Sequence, residues 1–189
     1  MAFNTNTFRR NLVSLANPAH FEIRLSGFNN INIFNKKELA VIDKIPYRAF
    51  SSQIPGSYID TVDRTYSGPR RAVPVGIQFQ PIPIMIYEPK TYVVRQIFDK
   101  WHKYIANIGQ AWNVPYYDNC IARTLNLTTF DKLGNAVVTY IMHEVYPISV
   151  TPIQVDWSYS NSYVVTNVEF QYHRWDVNYH QQRRSEPLD

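Results

Sequence analysis

The side chains that could carry chemistry are few and dispersed. His20, His102, His143, His173 and His180 stand far apart, and none falls in an HExxH, HxH or other compact ligand spacing. Cys120 is the only cysteine, so a zinc site would have to gather its ligands from distant strands. No spacing in the sequence marks a Cys120 nucleophile served by His143 or His173. Since Cys120 heads an apolar strand pattern, a buried inert thiol is the simpler reading. No GxSxG turn is present, and Asp43, Asp60, Asp63, Asp99 and Asp118 are scattered, which leaves no general acid/base pair. His143 and Glu144 are successive on one strand and point to opposite faces. SGPRRAVPVG, residues 67–76, lacks the GK[ST] ending of a phosphate loop and does not lead into a helix. These patterns predict no catalytic site, no metal and no cofactor, and favour a structural or binding role over an enzyme.

The elements that must position these residues are mostly strands. FEIRL, residues 21–25, alternates apolar and polar, with Gly27 as a turn after it. ELAVI, residues 38–42, is a second short run. Between Pro46 and Gly76 six prolines and glycines break the pattern, and a structureless loop of about 30 residues is unusual inside a domain. Short strands and a functional projection are expected there. VGIQF and PIPIMIY follow, and Pro81 and Pro83 place the latter at a sheet edge or break it. One helix stands out in residues 88–109: Val94, Ile97, Phe98, Trp101, Tyr104, Ile105 and Ile108 form an apolar stripe, Pro89 suits its first turn and Gly109 its stop.

IARTLNLTTF, residues 121–130, sets Ile121, Leu125 and Leu127 on one face and Thr124, Asn126 and Thr128 on the other. Asp131, Gly134 and Asn135 turn the chain, and VVTYIMHEV returns with Val138, Tyr140 and Met142 opposite Thr139, Ile141 and His143. YVVTNVEFQYHRW, residues 163–175, reads as one further strand, with Glu169 and Gln171 on its polar side. Long strands with one apolar and one mixed face describe a sheet that rests on a core and meets water or a partner with its other side.

The whole chain agrees with this. Its 189 residues, 45% hydrophobic and 15% aromatic, suffice for one β-rich domain with a sizeable core. The single cysteine excludes an intramolecular disulfide framework, and the opening MAFNTNTFRRNLVSL lacks the apolar core of a secretory signal, so folding in a reducing cytoplasm is expected. No apolar run approaches the roughly 20 residues that cross a bilayer, which predicts a soluble protein. The net charge of +4 invites a DNA-binding β protein as an alternative, but the basic residues are scattered.

Several segments together resemble the tail tube proteins of contractile-tailed bacteriophages, a family related to contractile injection system tubes. ANPAHFEIRLSGF resembles the family's opening arm and first strand, LAVIDKIPYRAF the following strand and turn, and VDRTY its Asp-Arg-Thr-aromatic turn. FDKWHKYIA is similar to its amphipathic helix with a central tryptophan. The stretch from His143 to Asp176, with its aromatic-Pro, Asp-Trp and Tyr-x-x-Trp features, is similar to its closing strands. The likeness runs from about Asn17 to Asp176 in the family's order. The region Ser51 to Pro83 is longer and richer in proline than a minimal tube subunit, and RRSEPLD extends past the last strand.

The resemblance implies one tail-tube-like domain over residues 1–189: a mainly β, antiparallel sandwich or barrel subunit with one amphipathic helix packed outside. Within it, residues 1–17 are an N-terminal arm, 46–83 an extended loop region and 177–189 a C-terminal tail. Two hairpins would join an inter-subunit β-barrel of a hexameric ring, and stacked rings would form the conduit for DNA ejection. Thr124, Asn126, Thr128, Thr139 and His143 would face the lumen, joined by Glu169 and Gln171 if the last strand enters the inner sheet. Arg64, Arg70 and Arg71 would make inter-ring or inter-subunit contacts, and Lys100 and Lys103 would face the sheath. The implied partners are copies of the chain itself, a tail sheath protein, baseplate and tail terminator proteins, and tape measure protein and genomic DNA in the lumen. The implied place is the virion, after assembly in the host cytoplasm. A baseplate tube or tube-initiator subunit of the same fold is the alternative.

Overall fold

The computed structural model describes residues 19–28, 31, 33–64, 68, 70–106, 117–156 and 162–180. Its strands are β1 (Phe21–Ser26), β2 (Ala49–Ser52), β3 (Ser57–Arg64), β4 (Arg71–Phe79), β5 (Ile82–Tyr87), β6 (Ala122–Phe130), β7 (Ala136–Val150), β8 (Val165–Gln171) and β9 (Arg174–Tyr179). Two α-helices are described, α1 (Lys36–Ile42) and α2 (Val93–Ala106). The main sheet runs β1-β6-β7-β8-β5-β2 with β9 also on β7, and all its pairings are antiparallel.

One strand organises the sheet. The first half of β7 pairs with β6 and β9, and its second half, from Tyr146, pairs with β8. Between the halves Glu144 takes a left-handed backbone, φ 57°, a costly conformation for a residue with a Cβ. There the strand leaves one group of partners for the other. The last predicted strand divides correspondingly. It is not one element but β8 and β9, broken at Tyr172 and His173, because the two halves of β7 need separate partners.

The core lies on one side of both halves. Ile23, Leu25, Leu125, Leu127 and Met142 come from β1, β6 and β7; Ile82, Ile84, Ile86, Val168 and Phe170 come from β5 and β8. Helix α2 closes this core with Val94, Ile97, Phe98 and Trp101, all buried at three- and four-residue steps. The Trp101 indole meets Phe28 and Phe34 edge-on and donates to the Cys120 carbonyl at 2.7 Å, which satisfies its one polar group inside the core. Pro89 lies in the turn before the helix, where its carbonyl accepts the Tyr92 N–H, and not in the first helical turn. Ile108 and Gly109 lie outside the described residues.

Three further expectations are corrected. ELAVI is the helix α1 and not a strand: Glu38 Oε2 accepts the Asn35 N–H at 2.7 Å, closing the first turn, and Ile42 is buried. PIPIMIY is not an edge, since β5 lies between β8 and β2; the ladder with β2 ends at Ile84, so among the described residues Pro83 has no strand beside it on that side. Ile121 precedes β6 and lines a cleft with Thr124 and His143 instead of joining Leu125 on the core face.

The Pro46 to Gly76 stretch resolves into β2 and most of an antiparallel hairpin, β3 with β4, that forms a two-stranded sheet of its own. Pro74 sits at its register shift, where a missing N–H costs least. The N-terminal arm, residues 1–17, lies outside the described residues, while β9 reaches Tyr179, past the expected start of the C-terminal tail.

Gly27 ends β1 with φ 81°, and a Cβ there would stand 2.2 Å from the Cβ of Arg123. Gly27→Ala is therefore expected to cost about 2–4 kcal/mol, through left-handed strain and overlap together. An unchanged urea midpoint would show that the strand end can move aside freely.

Candidate assembly surfaces

The half-sheet β1-β6-β7-β9 turns its non-core face outward, and register assembles that face in rows. Glu22, Thr128, Thr139 and Asn178 form one row; Arg24, Asn126, Ile141 and Asp176 the next; Ser26, Thr124, His143 and Arg174 the third. Short side-chain hydrogen bonds run along and between the rows. The Ser26 and Thr124 hydroxyls meet at 2.7 Å, those of Thr128 and Thr139 at 3.1 Å, and Thr139 meets His180 at 2.9 Å. His143 Nε2 lies 2.9 Å from Asp176 Oδ2, and Arg24 donates to Glu22 at 2.7 Å. Arg24 is cationic in any surroundings, and the bond to Glu22 raises its pKa further.

Five of the residues expected to face a lumen, Thr124, Asn126, Thr128, Thr139 and His143, thus share this one face. Glu169 and Gln171 do not share it: they are on β8, in the half-sheet that pairs with β5 and the end of β7. What joins the polar face is β9, and it brings Arg174, Asp176, Asn178 and His180. These four, with Glu22 and Arg24, were missed by reading the sequence. FEIRL carried the signal in its alternation, but Arg174 to His180 became visible only once the chain broke at Tyr172. The resulting face balances Glu22 and Asp176 against Arg24 and Arg174.

At one end of this face a polar cleft of about 500 Å³ is lined by Gly27, Asp118, Arg123, His143, Glu144 and Arg174, among others. Tyr117 donates to Glu144 Oε2 at 3.2 Å, and burial pushes its phenol up to about 12. Burial also raises the Cys120 thiol, which keeps it protonated and weakly nucleophilic. Among the described residues no three of His, Cys, Asp and Glu are grouped to hold a metal ion.

The hairpin β3–β4 is a second surface. It leaves the body beside Tyr172, whose ring packs on Phe79 and whose hydroxyl donates to the Gly56 carbonyl at 3.4 Å. Almost every residue of it is solvent-facing, including Ile59, Val62, Val75 and Ile77. Tyr58, Gln78 and Asp60 are hydrogen-bonded to one another between its two strands. Arg64 pairs with Arg71 across the ladder, and Arg70 adjoins them, so the three predicted arginines do converge, at the hairpin tip. Like charges directly opposite destabilise a ribbon.

The two helix lysines differ. Lys103 is exposed, but Lys100 reaches both carboxylate oxygens of Glu38, at 2.9 and 3.0 Å, and ties α2 to α1. The Asn35 N–H first, then Lys100, lowers the Glu38 pKa below its ordinary 4.5. A carboxyl whose pKa falls on folding stabilises the fold fully above its unfolded value and loses that contribution as pH drops through the folded one. Glu38→Gln is expected to lower the denaturant midpoint at pH 7 and to flatten its decline on acidification. Parallel pH profiles for the two proteins would refute the linkage.

The sequence profile of phage tail tube proteins matches residues 16–178. No curated protein matches the chain. Solved structures of the same fold include a chain of the anti-feeding prophage baseplate, with TM-score 0.61, 10% identity, and coverage of 87% of this chain and 96% of that one. A chain of the sheath–tube complex of an extracellular contractile injection system, PVC, in its extended state gives TM-score 0.58 and 15% identity over 95% and 100%. One from the tube-terminating cap of the anti-feeding prophage gives 0.56 and 14% over 95% of each chain. No helix among the described residues is long and apolar enough to cross a membrane. With residues 16–178 matched by that profile, the chain belongs to the phage tail tube protein family.

Proposed function

We propose that the protein closes into hexameric rings that stack as a tail tube, with the polar face of β1-β6-β7-β9 lining the bore through which DNA is ejected. The observation that carries this reading is a four-stranded antiparallel sheet whose two outer edges, β1 and β9, have no strand beside them among the described residues. Free edges invite uncontrolled pairing, and a closed barrel uses them up. Because the sheet has four strands, β9 of one copy runs antiparallel to β1 of the next, so the closed wall keeps one pattern throughout. The anti-feeding prophage baseplate, solved with six-fold symmetry, supports the ring number.

The wall so formed wets without gripping. Lysines lining a bore would hold phosphates, since each neutralised phosphate strengthens binding through counterion release. Here the hydroxyls of Thr124, Thr128 and Thr139 and the amide of Asn126 are interspersed with balanced charge. Tape measure protein occupies the same bore before DNA. Lys103 and the outer face of α2 meet the sheath, in keeping with the sheath–tube neighbour, and terminator and baseplate proteins cap the stack. The protein then resides in the virion, after assembly in the host cytoplasm. Likeness to the baseplate chain favours a second reading, a baseplate tube or initiator ring that does not polymerise alone.

Electron microscopy of the purified protein decides among these: stacked tubes support the main reading, isolated rings the second, and monomers at high concentration neither. Arg64, Arg70 and Arg71 at the hairpin tip need anionic partners, which a neighbouring ring supplies. Reversing Arg70 and Arg71 to glutamate is expected to shorten the tubes, and an unaltered length distribution would remove the arginines from inter-ring contact.

A further inference from the structure

We propose that the seam between copies closes with a stagger of about four residues, so that His180 of one copy faces Arg24 of the next and Asn178 faces Ser26. This rests on the ring reading above and adds the register in which the edges meet. The stagger follows from strand spacing. Four strands span about 19 Å of barrel wall, and a shift of four residues is about 13 Å along a strand, which inclines the strands by about 35°, within the range closed barrels adopt. Because each copy contributes the same four strands, the result holds for any ring number. An odd shift is excluded, because it would turn the polar residues into the core.

The sense of the shift comes from handedness. The Phe130 N–H donates to the His20 carbonyl and the His180 N–H to the Val137 carbonyl, so even-numbered residues of β1 and β9 direct their backbone inward to β6 and β7. Those even-numbered residues also carry the polar face. For L-residues this sets the strand order: with the polar face toward the viewer and β1 running upward, β6, β7 and β9 follow to the right. Right-handed sheet twist inclines barrel strands in one direction only. A row through Arg24, Asn126, Ile141 and Asp176 therefore meets the next β1 about four residues beyond its Arg24, and Arg24 itself stands opposite His180. Odd-numbered Leu25 and Tyr179 then exchange the backbone hydrogen bonds, which covers the exposed Tyr179 ring.

Charge agrees with this register. Arg24 keeps Glu22 and Asp176 keeps His143, so no existing pair breaks at the seam. A shift of two residues in the opposite sense sets Asp176 against Glu22 and Arg174 against Arg24, two like-charge pairs. The unstaggered register gains an Arg24–Asp176 pair, but both side chains are more than half exposed. Such an exposed, solvent-screened pair is too weak to hold a whole barrel upright against its twist.

Three double variants in a Cys120→Ser background read the register: Arg24→Cys with His180→Cys, Arg24→Cys with Asp176→Cys, and Glu22→Cys with Asp176→Cys. After mild oxidation, non-reducing electrophoresis is expected to show a ladder of linked oligomers for the first pair and monomer for the others. Microscopy of the same samples separates the two readings. Rings linked through either of the other pairs, or through none, overturn the register while the ring stands; the absence of rings overturns both.

Discussion

The fold depends on one strand serving two groups of partners. β7 is fifteen residues long; it pairs with β6 and β9 up to Val145 and with β8 from Tyr146. A regular strand could not change partners without leaving hydrogen-bonding groups unpaired in a half-buried sheet, and each such group carries a desolvation penalty of about 1–3 kcal/mol. The left-handed residue at Glu144 turns the strand at the point of exchange. Tyr117, through its bond to the Glu144 carboxylate, ties the chain before β6 to that turn.

From that division the rest follows. The second half of β7, with β8 and β5, supplies Phe170, Val168 and the isoleucines of β5, on which α2 rests. The first half, with β1, β6 and β9, shares the same core and is left with a polar outer face. Lys100 and Glu38 join the two helices outside the sheet, so α1 is held by a capped terminus and an ion pair as well as by the burial of Ile42.

The surfaces that remain unsatisfied point outward. Among the described residues β1 and β9 end the polar half-sheet with no strand beyond them, and the β3–β4 hairpin carries apolar pairs such as Ile59 with Ile77 into solvent. Two-stranded ribbons are marginal in water by themselves.

Much of this was legible in the residues. The helix stripe around Trp101, the β6–β7 hairpin with its turn at Asp131 to Asn135, and the alternation of Thr124, Asn126 and Thr128 are periodicities of two or 3.6, which local geometry imposes whatever surrounds them. The helical state of ELAVI was not, because seven residues carry too few periods to separate a helix from a strand, and an ion pair to a helix 62 residues away helps to hold it. The split between β8 and β9 was not legible either, nor the polar company of Arg24, Asp176 and Arg174. Alternation assigns a residue to one side of its strand; which strands lie alongside depends on hydrogen bonds between segments far apart in the chain, and only the folded sheet contains those.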